Sequence, residues 1–159
     1  MAEIAERAGL TERTFFRHFA DKREVLFAGA DALRELLVST VAKAPRALAP
    51  IDAAAMGLEA AGTLIQEGGE LARQRQAIIA SSAELQGREL IKLASLAAAM
   101  ADALSRRGVR GPAASLTAEA GIAVFKIAFE RWVNEIHPPD LPRLIRESLD
   151  ELRAVTAGK

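Results

Sequence analysis

The sequence contains no cysteine, and its two histidines, His18 and His137, lie far apart. Without cysteine there can be no disulfide bond, thiolate metal site or cysteine nucleophile, and a histidine metal site is not expected. An excess of one charge is also lacking, because 21 basic residues balance 21 acidic ones. Zero net charge argues against a whole-protein nucleic-acid coat but allows a local basic patch.

Residues that favour strands are sparse, since aromatic residues make up only 4% of the chain while alanine and leucine are abundant. Alanine and leucine favour helices, so the composition predicts an all-α fold. The sequence has no uninterrupted apolar run of about 18 residues, and its start does not resemble a signal peptide. We therefore expect a cytoplasmic protein without a membrane segment.

Apolar residues recur with helical spacing between clear breaks at Pro45, Pro50, Gly68–Gly69, Gly108 and Pro138–Pro139. Asp140 is placed to cap the last helix. The pattern predicts short helices over 1–8 and 12–19, a long helix starting at Lys22, and helices over about 51–66, 70–85, 88–107, 112–136 and 140–156.

Residues 3–22 read EIAERAGLTERTFFRHFADK. Two short helices joined by a turn at Gly9, with small residues at their crossing, form a helix-turn-helix. Its second helix is free to enter a DNA major groove, where arginine can read guanine. The residues from Thr11 to Arg23 carry four basic and two acidic side chains. This small surplus is compatible equally with DNA binding and with a solvated helical hairpin.

The same segment closely resembles the DNA-binding motif of the tetracycline-repressor (TetR) family, I-A-x-x-A-G-[VL]-[ST]-x-x-T-[FL]-Y-x-H-F-x-x-K. The match extends over about twenty residues from Ile4 to Lys22, and Val25–Leu26 supply the apolar pair that follows. One departure is Phe16, which stands where the family usually has tyrosine and cannot donate a hydroxyl to phosphate. The resemblance implies that bases and phosphates are contacted by Thr11, Arg13, Thr14, Phe16, Arg17, His18 and Lys22.

The resemblance further implies a ligand-responsive regulator, typically a repressor, that binds a double-stranded DNA operator as a homodimer and needs no cofactor. Residues 1–43 would form the DNA-binding part with its connecting helix, and residues 46–159 the effector-binding and dimerisation domain. Effector and DNA would weaken each other's binding by the same factor. The motifs R-x-R-x-x-I at Arg73–Ile78 and F-x-x-x-F-x-x-W at Phe125–Trp132 resemble a subtype of the family.

Periodicity suggests a mostly apolar effector pocket within the bundle, although core packing explains each candidate equally well. The pocket candidates are Met56, Ile79, Leu96, Met100 and Phe125. The helix around Gly121–Phe129 is apolar nearly all round, which indicates burial on more than one side, against the core and a partner chain. The candidate dimer-interface residues are Ile122, Phe129, Trp132, Leu141, Ile145, Leu149 and Leu152.

An enzyme is not expected, because the sequence offers no nucleophile-plus-base set and no phosphate-binding loop after a strand. The alternative is a dimeric small-molecule- or protein-binding module with impaired DNA binding. Members of the family carry a helix before the motif, whereas here Met1 stands three residues before Ile4. We expect a shortened or misassigned start, and weak DNA binding by this chain.

Charge is distributed unevenly: residues 52–72 hold acids and no Lys or Arg, while residues 73–110 are rich in basic residues. Two interpretations remain open. The two segments could form exposed helix faces of complementary charge, or an anionic effector could bind near Arg73, Arg75 or Arg88.

Overall fold

The computed structural model describes residues 26–158, and the chain divides into two units, Met1–Asp31 and Ala32–Lys159. No strand occurs among the described residues, which confirms the all-α fold. The helices of this part of the chain are α1 (Ala30–Lys43), α2 (Pro50–Gly68), α3 (Glu70–Ala80), α4 (Ala83–Arg106), α5 (Gly111–Asn134) and α6 (Leu141–Thr156).

Several helix ends lie where the sequence signals predicted them. Pro50 and Pro112 occupy the first turns of α2 and α5, where a missing N–H costs nothing. The Asp140 side chain accepts a hydrogen bond from the Arg143 amide at 2.8 Å and caps α6. Gly108 follows α4 with a φ of 95°, a left-handed conformation that glycine adopts without steric cost.

Two predicted boundaries were wrong. The break between α3 and α4 falls at Ser81–Ser82 rather than near Gly87, because the Ser82 side chain accepts the Leu85 amide at 3.4 Å and starts α4 there. Gly87 lies inside α4. The long helix predicted from Lys22 is also interrupted, since residues 28 and 29 form a turn before α1 begins at Ala30.

The core of the larger unit is built around α2, α5 and α6, with α4 packed on α5 and α3 packed on α4. Small residues let these helices approach closely: a methyl group at Gly57 would lie 2.7 Å from Val41 Cγ2 of α1. At Gly62 a methyl group would lie 2.8 Å from Ile145 Cδ1 of α6. Tight packing at both positions fixes α2 against its two neighbours.

Two acidic residues of α2, Asp52 and Glu59, form ion pairs with arginines of α6. Arg146 Nη1 lies 2.9 Å from Glu59 Oε2, and Arg153 forms an ion pair with Asp52.

Within residues 26–158, one helix, α5, is long and apolar enough to cross a membrane by length and composition. The core helix of a soluble protein passes the same test. Here the buried residues Ala118, Ile122 and Trp132 place one face of α5 in the core of the chain.

Candidate functional site

A cavity of about 620 Å³ lies between α3, α4 and α5. Its size falls within the range of small-molecule sites, roughly 300–1,000 Å³. The wall combines apolar and polar side chains, which are Arg73, Gln76, Ala77, Ile79, Ala80, Gln86, Glu89, Leu90, Leu93, Phe125, Lys126, Phe129, Glu130, Val133 and Asn134.

The α5 wall is aromatic because F-x-x-x-F-x-x-W spacing brings three rings close together along one side of a helix. The Phe125 and Phe129 rings are stacked with centroids 5.9 Å apart, and the Phe129 and Trp132 centroids are also 5.9 Å apart. Phe125 and Phe129 line the cavity, whereas Trp132 is buried and does not line it. The two phenylalanine rings give the cavity an apolar wall suited to apolar or aromatic ligand groups.

Arg73 lines the cavity and contacts Trp132. Its guanidinium lies 4.5 Å from the centroid of the Trp132 ring, and its Nη2 donates a hydrogen bond to the Trp132 carbonyl at 3.3 Å. Stacking of a cation on indole is attractive, and a carbonyl in the last turn of a helix lacks an intrahelical partner. The R-x-R-x-x-I and F-x-x-x-F-x-x-W motifs of the sequence thus meet at this contact.

A partly buried ion cluster joins α3 to α4 beside the cavity. Arg75 Nη2 lies 2.9 Å from Glu89 Oε2, and Lys92 Nζ lies 3.3 Å from Glu89 Oε1. Burial raises the pKa of Glu89, but the hydrogen bond from Arg75 and the charges of Lys92 and Arg75 outweigh it and hold the pKa below the ordinary 4.5. Burial lowers the pKa of Lys92 below 10.5; the Glu89 charge opposes this shift and the Arg75 charge adds to it.

The five pocket candidates from the sequence have different surroundings. Ile79, which is only 1% exposed, and Phe125 line the cavity. Leu96 and Met100 are buried in the core cluster, and Met56 is 41% exposed on α2. Periodicity cannot separate a cavity wall from a packed core, because both need apolar side chains at the same spacing.

Several lining residues were not singled out as pocket residues by the sequence. Leu93 and Val133 belong to apolar rows that continue from residues already recognised, so the i, i+4 spacing along α5 could have found Val133. Lys126 and Glu130, one turn apart on α5, also line the cavity. They interrupt an apolar helix, which was the available signal for a polar rim.

The candidate interface residues are mostly buried inside the chain's own core. Ile122, Trp132, Leu141, Ile145 and Leu149 are buried, while Phe129 and Leu152 are partly buried against that core. The apolar stripe of α6 therefore packs against the same chain.

The outward face of α5 carries a different apolar stripe, formed by Leu116, Ala120, Ala123 and Ile127 and here called the α5 stripe. Spacings of four, three and four residues place these side chains on one helical face. Leu116 is 71% exposed and Ile127 is 57% exposed. Contiguous exposed apolar side chains of this kind mark interaction surfaces in soluble proteins.

The candidate DNA-binding residues lie outside the described residues. They are Thr11, Arg13, Thr14, Phe16, Arg17, His18 and Lys22.

A cavity of this size between helices of a bundle has the dimensions of a small-molecule site. Residues 48–157, which include every residue of the cavity, match the family model described as the MftR C-terminal domain. Residues 1–28 match the model described as bacterial regulatory proteins, tetR family. The chain belongs to the TetR family of bacterial regulatory proteins and is a DNA-binding transcriptional regulator. A comparison with curated proteins finds no significant match.

Proposed function

We propose that the chain is a ligand-responsive transcriptional repressor whose effector occupies the cavity between α3, α4 and α5. The observation that carries this proposal is the presence of a 620 Å³ cavity within the family-matched regulatory region 48–157. The same chain carries the family-matched DNA-binding segment 1–28. Effector binding and DNA binding would be linked and reciprocal.

Base contacts are assigned to Arg13 and Thr14, and phosphate contacts to Thr11, His18 and Lys22. Arg17 would add a base or phosphate contact, and Phe16 an apolar one. These assignments rest on the match of residues 4–22 to the family motif.

Homodimerisation would occur through the outward surface of α5, with the α5 stripe of one chain packed on that of its partner. A self-complementary stripe suits a twofold interface, in which the same patch serves both subunits. The residues between Leu116 and Ile127 include Ala120 and Ala123, whose small side chains allow two helices to approach closely. If the chains pair through the α5 stripe, the apolar residues of α6 can stay buried in the core of their own chain.

The effector assignment is tested by a thermal-shift screen of small metabolites against the wild-type chain, Ala77→Phe and Ala98→Phe. Ala77 lines the cavity, whereas Ala98 is an exposed alanine of α4 outside it. A compound at 100 times its Kd stabilises the folded state by about 2.7 kcal/mol. We expect a hit to lose this stabilisation in Ala77→Phe and keep it in Ala98→Phe.

The hit is then added to the protein bound to a DNA duplex selected from a random pool. A repressor released by its effector would bind the duplex more weakly in the presence of the compound. Equal stabilisation of both phenylalanine variants would contradict the cavity assignment. Tighter duplex binding would contradict release as the direction of control.

A further inference from the structure

Arg73 is a half-buried cation of the cavity wall, and it forms no salt bridge within residues 26–158. Among these residues only its Nη2 donates a hydrogen bond, to the Trp132 carbonyl at 3.3 Å. Stacking on the Trp132 ring occupies the face of the guanidinium and not the N–H groups along its edge. A carboxylate can accept two such N–H groups in parallel, and a partly buried charge gains most from a partner of this kind.

The other charged groups of the cavity wall are balanced. Glu89 is neutralised by the two cations of the ion cluster between α3 and α4. Lys126 and Glu130, which have opposite charges, lie one turn apart on α5, and both are exposed. The wall therefore carries one positive charge without a compensating group, that of Arg73.

The remainder of the cavity fits an apolar body. The stacked rings of Phe125 and Phe129 form the α5 wall. Leu90 of α4 also lines the cavity although it is 59% exposed, so a bound apolar group would cover it. On α3 the lining extends from Arg73 to Ala80, which is about 10 Å along the helix at roughly 1.5 Å per residue.

We propose that the effector is an apolar carboxylate, an aromatic or aliphatic acid whose carboxylate pairs with Arg73 and whose body lies on the two phenylalanine rings. This inference deepens the proposed function of the cavity and rests on it. Of the arginines that the sequence suggested for an anionic effector, Arg73, Arg75 and Arg88, only Arg73 lines the cavity. Its contact with Trp132 holds the guanidinium in place before the ligand arrives, which lowers the entropy lost on binding.

The test uses Trp132 as the reporter, because the chain has one tryptophan and no tyrosine and Arg73 stacks on that tryptophan. The full chain is titrated with two series of ligands, followed by intrinsic fluorescence. One series is 4-phenylbutyrate, 4-phenylbutan-1-ol and 4-phenylbutylamine, and the other is octanoate, octan-1-ol and octylamine. Within each series the apolar body is the same and only the head group differs.

In at least one series the carboxylate should bind the wild type about tenfold or more tightly than the alcohol or the amine, because only the carboxylate accepts charge-assisted hydrogen bonds from Arg73. Arg73→Gln should remove this preference and leave binding of the alcohol unchanged. Arg73→Lys, which keeps the charge but not the planar fork, should retain part of the preference. Lys126→Gln, which removes the other unpaired cation of the same wall, is the matched control and should retain all of it.

Equal affinity of the wild type for carboxylate and alcohol in both series, or a preference that persists in Arg73→Gln, would overturn the inference and leave the proposed function standing. The same conclusion would follow if Arg73→Gln weakened binding of the alcohol as much as binding of the carboxylate. If no member of either series bound the wild type, or if Ala77→Phe bound them all equally well, the proposed function would be contradicted and the inference with it.

Discussion

Single polar side chains hold the helix ends of this bundle together. Arg73 reaches the Trp132 carbonyl of α5, Arg107 reaches the end of α1, and the Gln66 side chain accepts the Leu141 amide at 2.5 Å. Each satisfies a backbone group that a helix terminus leaves unpaired. Sequence periodicity identifies the helices but contains no information on these long-range partners, so none of the three contacts could be predicted.

Replacement of Gly57 by alanine should destabilise the fold at the contact between α2 and α1. The added methyl group would lie 2.7 Å from Val41 Cγ2 and 3.0 Å from the Leu37 carbonyl oxygen, so one helix must move. Overpacking of this kind costs about 1–3 kcal/mol, from which up to about 1 kcal/mol of helix propensity is recovered.

Gly87→Ala is the control for this substitution, because it lies within α4 with nothing inside 4 Å of the added methyl group. Without a clash, alanine should stabilise this helix by roughly 0.5–1 kcal/mol. Urea unfolding of both variants measures the difference. If Gly57→Ala were as stable as Gly87→Ala, the close approach of α1 and α2 would be disproved.

Replacement of Glu89 by glutamine should destabilise the fold near neutral pH by about 1–3 kcal/mol, because Arg75 and Lys92 would then face each other without a neutralising charge. The pKa of Glu89 is held below its ordinary 4.5 in the folded chain. Its contribution to stability is therefore complete above pH 4.5 and is lost as the pH falls through the lower folded-state value.

The measurement is the free energy of unfolding of wild type and Glu89→Gln between about pH 2 and pH 7. The difference between them should shrink as the pH falls below 4.5. Glu119→Gln, an exposed position on α5, should show little difference at any pH. If the difference in free energy of unfolding between wild type and Glu89→Gln stayed constant down to the lowest pH, a charge effect would be ruled out.

Individual helices were predictable where the breaking residue acts locally. Pro112 in the first turn of α5, the Asp140 cap of α6 and the glycine after α4 have the roles that the sequence predicted, whereas Pro50, predicted as a break, begins α2. The α3–α4 boundary was missed because the predicted helices, over about 70–85 and 88–107, left Gly87 between them and did not take the Ser82 cap into account. A glycine inside a helix costs only about 1 kcal/mol, and packing of α4 overrides that cost.

The sequence did not show whether an apolar helix stripe is covered by the same chain or by a partner chain. The stripe of Leu141, Ile145 and Leu149 was assigned to a partner chain, yet it is buried by α2 and α5 of the same chain. Periodicity defines a face of a helix but does not identify what covers it. The exposed α5 stripe became apparent only once the core positions of α5 were known.

The double substitution Leu116→Glu with Ile127→Glu should convert a homodimer into a monomer. Two charges per chain would be placed in the twofold contact, one at each end of the α5 stripe, and burial of unpaired like charges is costly. Light scattering at micromolar concentration should show the mass halved, with circular dichroism unchanged.

Ile91→Glu provides the control, because Ile91 is an apolar side chain of α4 that is 72% exposed and lies outside the α5 stripe. It should leave the dimer intact. A monomeric wild-type chain, or a dimer that survives the double substitution, would show that the α5 stripe is not the interface.

For the whole molecule, the family and the all-α architecture were predictable because a twenty-residue motif and a strong helical composition carry them. A pocket within the bundle was expected, but its lining residues could not be identified, because they come from three helices, α3, α4 and α5. Ile79 and Phe125 were found among the candidates, whereas equally apolar Leu96 and Met100 fill the core instead. Which apolar residues leave a space between them depends on the packing of all helices together.

The most direct test of the account is fluorescence anisotropy of the chain with a duplex selected from a random DNA pool, using a shuffled duplex as reference. If the chain is a dimeric sequence-specific regulator, two chains should bind saturably to the selected duplex, at half-sites about one helical turn apart, ~34–36 Å. Arg13→Ala should weaken binding to the selected duplex by about 1–3 kcal/mol, roughly 5-fold to 150-fold, and reduce the preference for the selected duplex over the shuffled one. Equal affinity of the wild type for both duplexes, unaffected by Arg13→Ala, would contradict sequence-specific regulation by this chain.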